Sequence, residues 1–171
     1  SSIAHGGYLL LALLSANDVG KGAILFYLLT YAVTNLGAFG VIALLDNADR
    51  PNDQVRDYAG LWNDHPGLAA LMTIFLLSLG GFPPMAGFVA KWYVFSAAIK
   101  AGYNWLAIIG VLTSVISVFF YLRIVVMMYM TGNESPARFP ARPRLAGAAL
   151  IVSAILIFYL GILPTVVLDL A

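Results

Sequence analysis

Apolar residues run along this chain in long stretches separated by short polar clusters, and that pattern predicts six helices, over residues 1–15, 21–45, 67–80, 84–101, 105–130 and 145–164. Crossing a bilayer takes about 20 apolar residues, so the 21–45, 105–130 and 145–164 runs each have the length to span. Asn17-Asp18 and Gly102-Tyr103-Asn104 supply turns, with an N-cap at the first, and Tyr103 and Trp105 are placed as interfacial anchors. Two apolar runs are separated by Gly80-Gly81-Phe82-Pro83-Pro84, which cannot continue a regular helix because each proline drives the residue before it out of the α region. Irregular backbone at membrane depth must be buried in protein or line a cavity. The expected fold is all-α: a polytopic transmembrane helix bundle with an interrupted helix, one domain over residues 1–171. Its first apolar run, Ile3 to Leu14, is too short to span, and the start has no initiator Met and no basic region before it. The expectation is the C-terminal part of a larger membrane protein.

Charge pattern bears on orientation. The segment from Thr131 to Arg144 carries Arg138, Arg142 and Arg144 against Glu134 alone, which places it in the cytoplasm. The other long polar segment, Asp46 to Pro66, holds Asp46, Asp49, Asp53, Asp57 and Asp64 with Arg50 and Arg56. If the apolar runs on either side of the Pro-Pro break each cross the membrane, this acidic segment lies outside. If they form one broken span, both segments share a side. The charge pattern favours the first arrangement. Within the acidic segment, Val55 to Trp62 reads as a short amphipathic helix with Tyr58, Leu61 and Trp62 toward lipid.

Composition narrows the function classes. The chain is 61% hydrophobic and 10% charged, where soluble domains carry about 25% charged residues, so its solvent is lipid. A net charge of +1 without a basic stripe argues against a nucleic-acid partner. With no cysteine there is no disulfide and no thiolate ligand for zinc or iron–sulfur clusters. No second histidine stands at ligand spacing from His5, so no metal site is expected. No nucleophile–base pair, carboxylate pair or phosphate-binding loop is present.

What remains is a set of polar residues inside apolar runs. Lys91 lies in Gly87-Phe88-Val89-Ala90-Lys91-Trp92-Tyr93-Val94-Phe95 with no acid beside it. A lysine in hydrocarbon costs roughly 3 kcal/mol or more, which marks a functional site. Pro84 lies about 10 Å of helix before it and Gly102 about 16 Å after it, while the side chain reaches about 6 Å, so snorkelling to either interface is strained. Tyr27, Tyr31 and Asn35, spaced by four, share a helix face with Thr34 near them. They either hold a file of waters or pack in a helix interface. His5, with Ser1, Ser2 and Tyr8 nearby, is either a proton carrier or a histidine hydrogen-bonded to a neighbouring helix. Arg123, Lys21 and Lys100 lie near run ends, where snorkelling accounts for them.

Three blocks then point to a family: Ser1-Ser2-Ile3-Ala4-His5-Gly6-Gly7-Tyr8, Tyr31-Ala32-Val33-Thr34-Asn35-Leu36-Gly37-Ala38-Phe39, and the stretch from Leu77 through the Pro-Pro break and Lys91 to Phe95. In this order they resemble the antiporter-like membrane subunits of NADH–quinone oxidoreductase, respiratory complex I, most closely those of the N type. The resemblance implies a fourteen-helix fold with two inverted five-helix repeats, of which this chain holds most of the second and the final helix. It implies that Lys91 is a protonatable residue on the interrupted helix of a half-channel; His5, Tyr27, Tyr31 and Asn35 stay candidates for a hydrated path beside it from their own placement in the apolar runs. It implies a bacterial inner membrane location and other complex I membrane subunits as partners. NADH, FMN, iron–sulfur clusters and quinone would sit on partner subunits, none on this chain. A subunit of a multi-subunit cation/proton antiporter, or a structural scaffold subunit, are the competing readings.

Overall fold

In lipid every backbone N–H and C=O must find its partner within the protein, and long apolar runs without acids answer that demand as helices. The computed structural model describes residues 1–15, 18–46, 54–132 and 144–165. Its elements are α1 (Ser2–Ser15), α2 (Asp18–Leu45), a 3₁₀ turn (Val55–Tyr58), α3 (Leu61–Asp64), α4 (Pro66–Gly80), α5 (Ala86–Lys100), α6 (Asn104–Met130) and α7 (Arg144–Ile162). Among the described residues, three helical segments are long and apolar enough to cross a membrane, Val19–Leu45, Asn104–Met130 and Leu145–Ile162.

α4 and α5 have 15 residues each. At 1.5 Å per residue that is about 22 Å, short of the roughly 30 Å hydrocarbon core. Their neighbours show how they are used. Thr73 on α4 bonds the hydroxyl of Tyr129, Gly80 lies against Tyr121, Lys91 on α5 bonds Ser114, and Phe95 lies against Gly110. As the chain advances from 73 to 95, its partner on α6 falls from 129 to 110. Together α4 and α5 therefore run antiparallel to α6 as one interrupted span.

This corrects the arrangement favoured by the charge pattern. The Gly60 N–H donates to the Met127 carbonyl at 3.1 Å, and Trp62 stacks on Tyr129 with ring centroids 4.9 Å apart. The chain entering α4 and the chain leaving α6 are thus on the same face of the bundle. Acidic residues carry little weight in membrane orientation, and two half-length helices cannot each cross, which is why the charge count misled. The amphipathic reading of Val55–Trp62 changes too. Of the three side chains expected toward lipid, Tyr58 and Leu61 are buried in the protein and Trp62 is exposed. The end of α6 offers these side chains a protein surface, so they pack there instead of facing lipid.

α5 is the hub, packed against α1, α2, α4, α6 and α7. Its buried face is built of small residues, Ala86, Gly87, Ala90, Ala97 and Ala98 with Val94. Small side chains let helix backbones approach where lipid gives no hydrophobic drive to association. Around this hub lie the fully buried side chains of Phe26, Phe75, Ile157 and Leu160. The outer face of α6 remains apolar and exposed, with Trp105, Ile109, Leu112, Ile116 and Phe119.

Candidate functional site

The break between α4 and α5 generates the site. Gly81 has φ +86°, a left-handed conformation that favours glycine. With it α4 ends in a Schellman arrangement: the Gly81 N–H donates to the Ser78 carbonyl at 3.0 Å and the Phe82 N–H to the Leu77 carbonyl at 3.0 Å. That leaves the last carbonyls, Leu79 and Gly80, to be satisfied from elsewhere. The Lys91 ammonium does so, donating to Leu79 O at 3.0 Å and Gly80 O at 3.1 Å. Its third bond goes to Ser114 Oγ at 2.9 Å. The ammonium lies 5.3 Å from the centroid of the Tyr8 ring, and Lys91 is buried, 5% exposed. A cation at a helix C-terminus meets the negative end of the helix dipole. No carboxylate is among these partners. The side chain turns toward the break and away from both interfaces, so it does not snorkel.

The start of α5 is tied to the same place. Met85, its N-cap residue, has no side-chain cap to offer. Ser78, from the last turn of α4, accepts the Gly87 N–H at 3.3 Å and so caps α5 from outside. Gly87 lies so close that a Cβ on it would overlap the Ser78 carbonyl oxygen. The two half-helices are locked end to end beside the ammonium.

A second polar group lies nearby, on α1. His5 is buried, with Nδ1 2.6 Å from the Tyr27 hydroxyl and Nε2 3.4 Å from the Tyr121 hydroxyl. Its ring stacks on Tyr31 at 4.7 Å, and Tyr121 is hydrogen-bonded in turn to Ser1 Oγ. Either His5 tautomer suits this setting: a proton on Nε2 lets Tyr27 donate to Nδ1, and a proton on Nδ1 reverses both bonds. Between His5 and Lys91 lies a cavity of about 10 Å³. His5, Tyr27, Thr30, Tyr31 and Thr34 line it on one side, and Ser78, Leu79, Gly87, Ala90 and Lys91 on the other. Its volume matches a single water site. The Thr30 hydroxyl in its wall is buried with no hydrogen-bond partner among the described residues, as expected where a water is to bind.

Of the residues singled out in the sequence, Lys91, His5, Tyr27 and Tyr31 converge on this cavity. Asn35 is half-buried on α2 and is not part of the lining. Spacing by four drifts around a helix: Asn35 is rotated about 80° from Tyr27, whereas Thr34, seven residues on, stays within about 20°. Arg123 is exposed, in keeping with snorkelling at the end of α6. Ser78, Ser114 and Tyr121 were missed. The signal for the last two was available, since Ser114, Ser117 and Tyr121 at i, i+3 and i+7 mark one face of an otherwise apolar helix.

Comparison with known proteins gives the following. The sequence profile of the NADH:quinone oxidoreductase/Mrp antiporter transmembrane family matches residues 1–117. The chain is 47% identical to an NADH-quinone oxidoreductase subunit N from Trichlorobacter lovleyi, over 100% of this chain and 35% of that protein. Its fold is similar to a chain of respiratory complex I from Thermus thermophilus with bound aureothin, with TM-score 0.83 and 34% identity over 98% of this chain and 38% of that one. It is also similar in fold to a chain of the Mrp complex from a Dietzia species, with TM-score 0.79 and 22% identity over 95% of this chain and 38% of that one. The chain thus spans about a third of the length of the relatives it matches. Its apolar helices and bacterial relatives make it an integral protein of a bacterial inner membrane.

Proposed function

The chain belongs to the NADH:quinone oxidoreductase/Mrp antiporter transmembrane family, and from that premise we propose that it is part of a proton-translocating membrane subunit of an NADH:quinone oxidoreductase. Lys91 is its proton-relay residue, and His5, Tyr27 and Tyr31 line the hydrated space beside it. The observation that carries this reading is the Lys91 ammonium, buried at the break between α4 and α5 with carbonyls, a hydroxyl and an aromatic ring as partners. Such a charge is held by geometry alone, so a charge moved nearby shifts the balance between its protonated and neutral forms. The small cavity gives a proton a wet step between Lys91 and His5. Redox chemistry belongs to partner subunits, which would hold NADH, FMN, iron–sulfur clusters and quinone. The other membrane subunits of complex I would be its neighbours.

The fold alone does not separate this reading from a cation/proton antiporter, because the Mrp chain has the same architecture. The identity to subunit N relatives favours the respiratory reading. Lys91→Ala in the intact complex tests it. The expected result is an assembled complex whose proton pumping and coupled quinone reduction fall to background. Pumping at the unmutated rate overturns the proposal. Sodium- or lithium-sensitive growth with normal respiration would overturn it in favour of the antiporter.

A further inference from the structure

An ammonium has three N–H groups, and at Lys91 oxygen takes all of them: the carbonyls of Leu79 and Gly80 and the hydroxyl of Ser114. No hydrogen is left for a fourth partner, yet one is in place. The ammonium lies over the ring of Tyr8, on α1, at 5.3 Å from its centroid, and Tyr8 is 3% exposed. Tyr8 is not among the residues that line the cavity. A cation within about 6 Å of an aromatic face is attracted by the quadrupole of the ring, most strongly where both are out of water.

The plane of this ring is set by its neighbours. Phe95 meets it at 5.8 Å with the rings at 90°, and His5 at 5.8 Å with the rings at 84°, both T-shaped contacts. Tyr27 adds a tilted contact at 6.3 Å. Phe95 lies four residues beyond Lys91 on α5, so the helix that carries the ammonium also carries a ring that orients Tyr8. The Tyr8 hydroxyl has no matching role. It is buried with no hydrogen-bond partner among the described residues, which costs stability. What the site uses at this position is the face of the ring.

We propose that Tyr8 is a positioning residue for Lys91, its aromatic face standing where a carboxylate would otherwise hold the charge and acting on the charged form alone. The inference rests on Lys91 being the relay residue, and adds to it the group that tells the two charge states apart. A neutral amine keeps two N–H groups and can still bond two of the three oxygens. The pull of the ring, in contrast, vanishes with the charge. Tyr8 thus draws the ammonium to one seat each time it forms and releases the amine when it discharges. No bond is made or broken at Tyr8, and no proton passes through it.

The experiment uses the full-length subunit in the intact complex, in inverted membrane vesicles, with NADH-driven proton uptake read by a pH-sensitive dye. Tyr8 is replaced by phenylalanine and then by phenylalanine carrying one, two and three ring fluorines. Fluorine draws electron density off the face of the ring while nearly keeping its shape, so the series weakens the attraction without repacking the site. Pumping is expected to fall about threefold at each step, to about one-thirtieth of the phenylalanine rate at the third, which is the size of a cation–π attraction between desolvated partners. Tyr8→Leu, which has no aromatic face, is expected to pump as poorly as the trifluorinated ring, and Tyr8→Phe to recover most of what Tyr8→Leu loses. Native gels should show the complex assembled throughout the fluorine series. A ring needed only as filler would leave the series flat. A flat series beside a dead Lys91→Ala overturns the role of Tyr8 and leaves the relay standing. Unaltered pumping in Lys91→Ala overturns the function itself.

Discussion

Gly87 and Ser78 meet with no room for a methyl group between them, and this contact fixes how α5 leaves α4. Gly87→Ala must therefore push the two half-helices apart. The expected cost is about 1–3 kcal/mol, as for other overpacked sites. Thermal dissociation of the assembled complex should show it as a lowered midpoint. A variant as stable as the parent would show that α4 and α5 can part at this point without cost.

Ser78 supplies the cap that Met85 cannot, and its oxygen also lies 3.4 Å from Thr34 Oγ1. Ser78→Ala leaves the Gly87 N–H unsatisfied at membrane depth. A loss of about 1–3 kcal/mol is expected. Thr34→Val is the control, because Thr34 already bonds the Thr30 carbonyl in its own helix and should matter less. Equal effects of the two substitutions would refute the capping role.

Gly81→Ala combines two penalties. The backbone is left-handed there, which costs an L-residue roughly 1–2 kcal/mol, and the new Cβ would lie 3.1 Å from Lys91 Cδ. The prediction is a variant that assembles but pumps poorly, since the methyl group displaces the lysine stem from the carbonyls it caps. Normal pumping with normal assembly would show that the ammonium needs no fixed seat.

Sidedness can be read directly, because the chain has no cysteine of its own. Gln54→Cys and Gly132→Cys should react with an impermeant thiol reagent from one face of the membrane and Asn104→Cys from the other. Lysine and arginine count decides which face. Arg50, Arg56, Arg138, Arg142 and Arg144 fall in the two segments that adjoin Gln54 and Gly132, against Lys21 and Lys100 near the opposite ends. The first pair should thus be cytoplasmic. Labelling of Gln54→Cys and Gly132→Cys from opposite faces would restore two separate crossings.

The all-helical class was legible because runs without acids admit no other solution in lipid, and the block from Leu77 to Phe95 was specific enough to carry the family. Sidedness was not legible. It turns on whether two 15-residue helices stack end to end, which depends on Gly87 and Ser78 touching and leaves no trace in hydropathy. Lys91 announced itself as a lone charge among apolar residues. Its partners could not, because two of them are main-chain carbonyls, and any residue has those. Ser114 was overlooked because a single serine in an apolar helix reads as a helix-packing residue until the ammonium it accepts from is found beside it.

The pair of carbonyls that holds Lys91 has a consequence of its own. An acid in their place could take up a proton and go silent; peptide oxygens cannot, so their pull on the ammonium depends on distance alone. A slip of α4 against α5 by a fraction of an ångström would thus register as a change in the electrostatics felt by the amine, and a change in its charge would tug on the backbone in return. If Lys91 is the relay residue, the interrupted helix would act as a transducer, with mechanical displacement and electrical state read from the same two bonds.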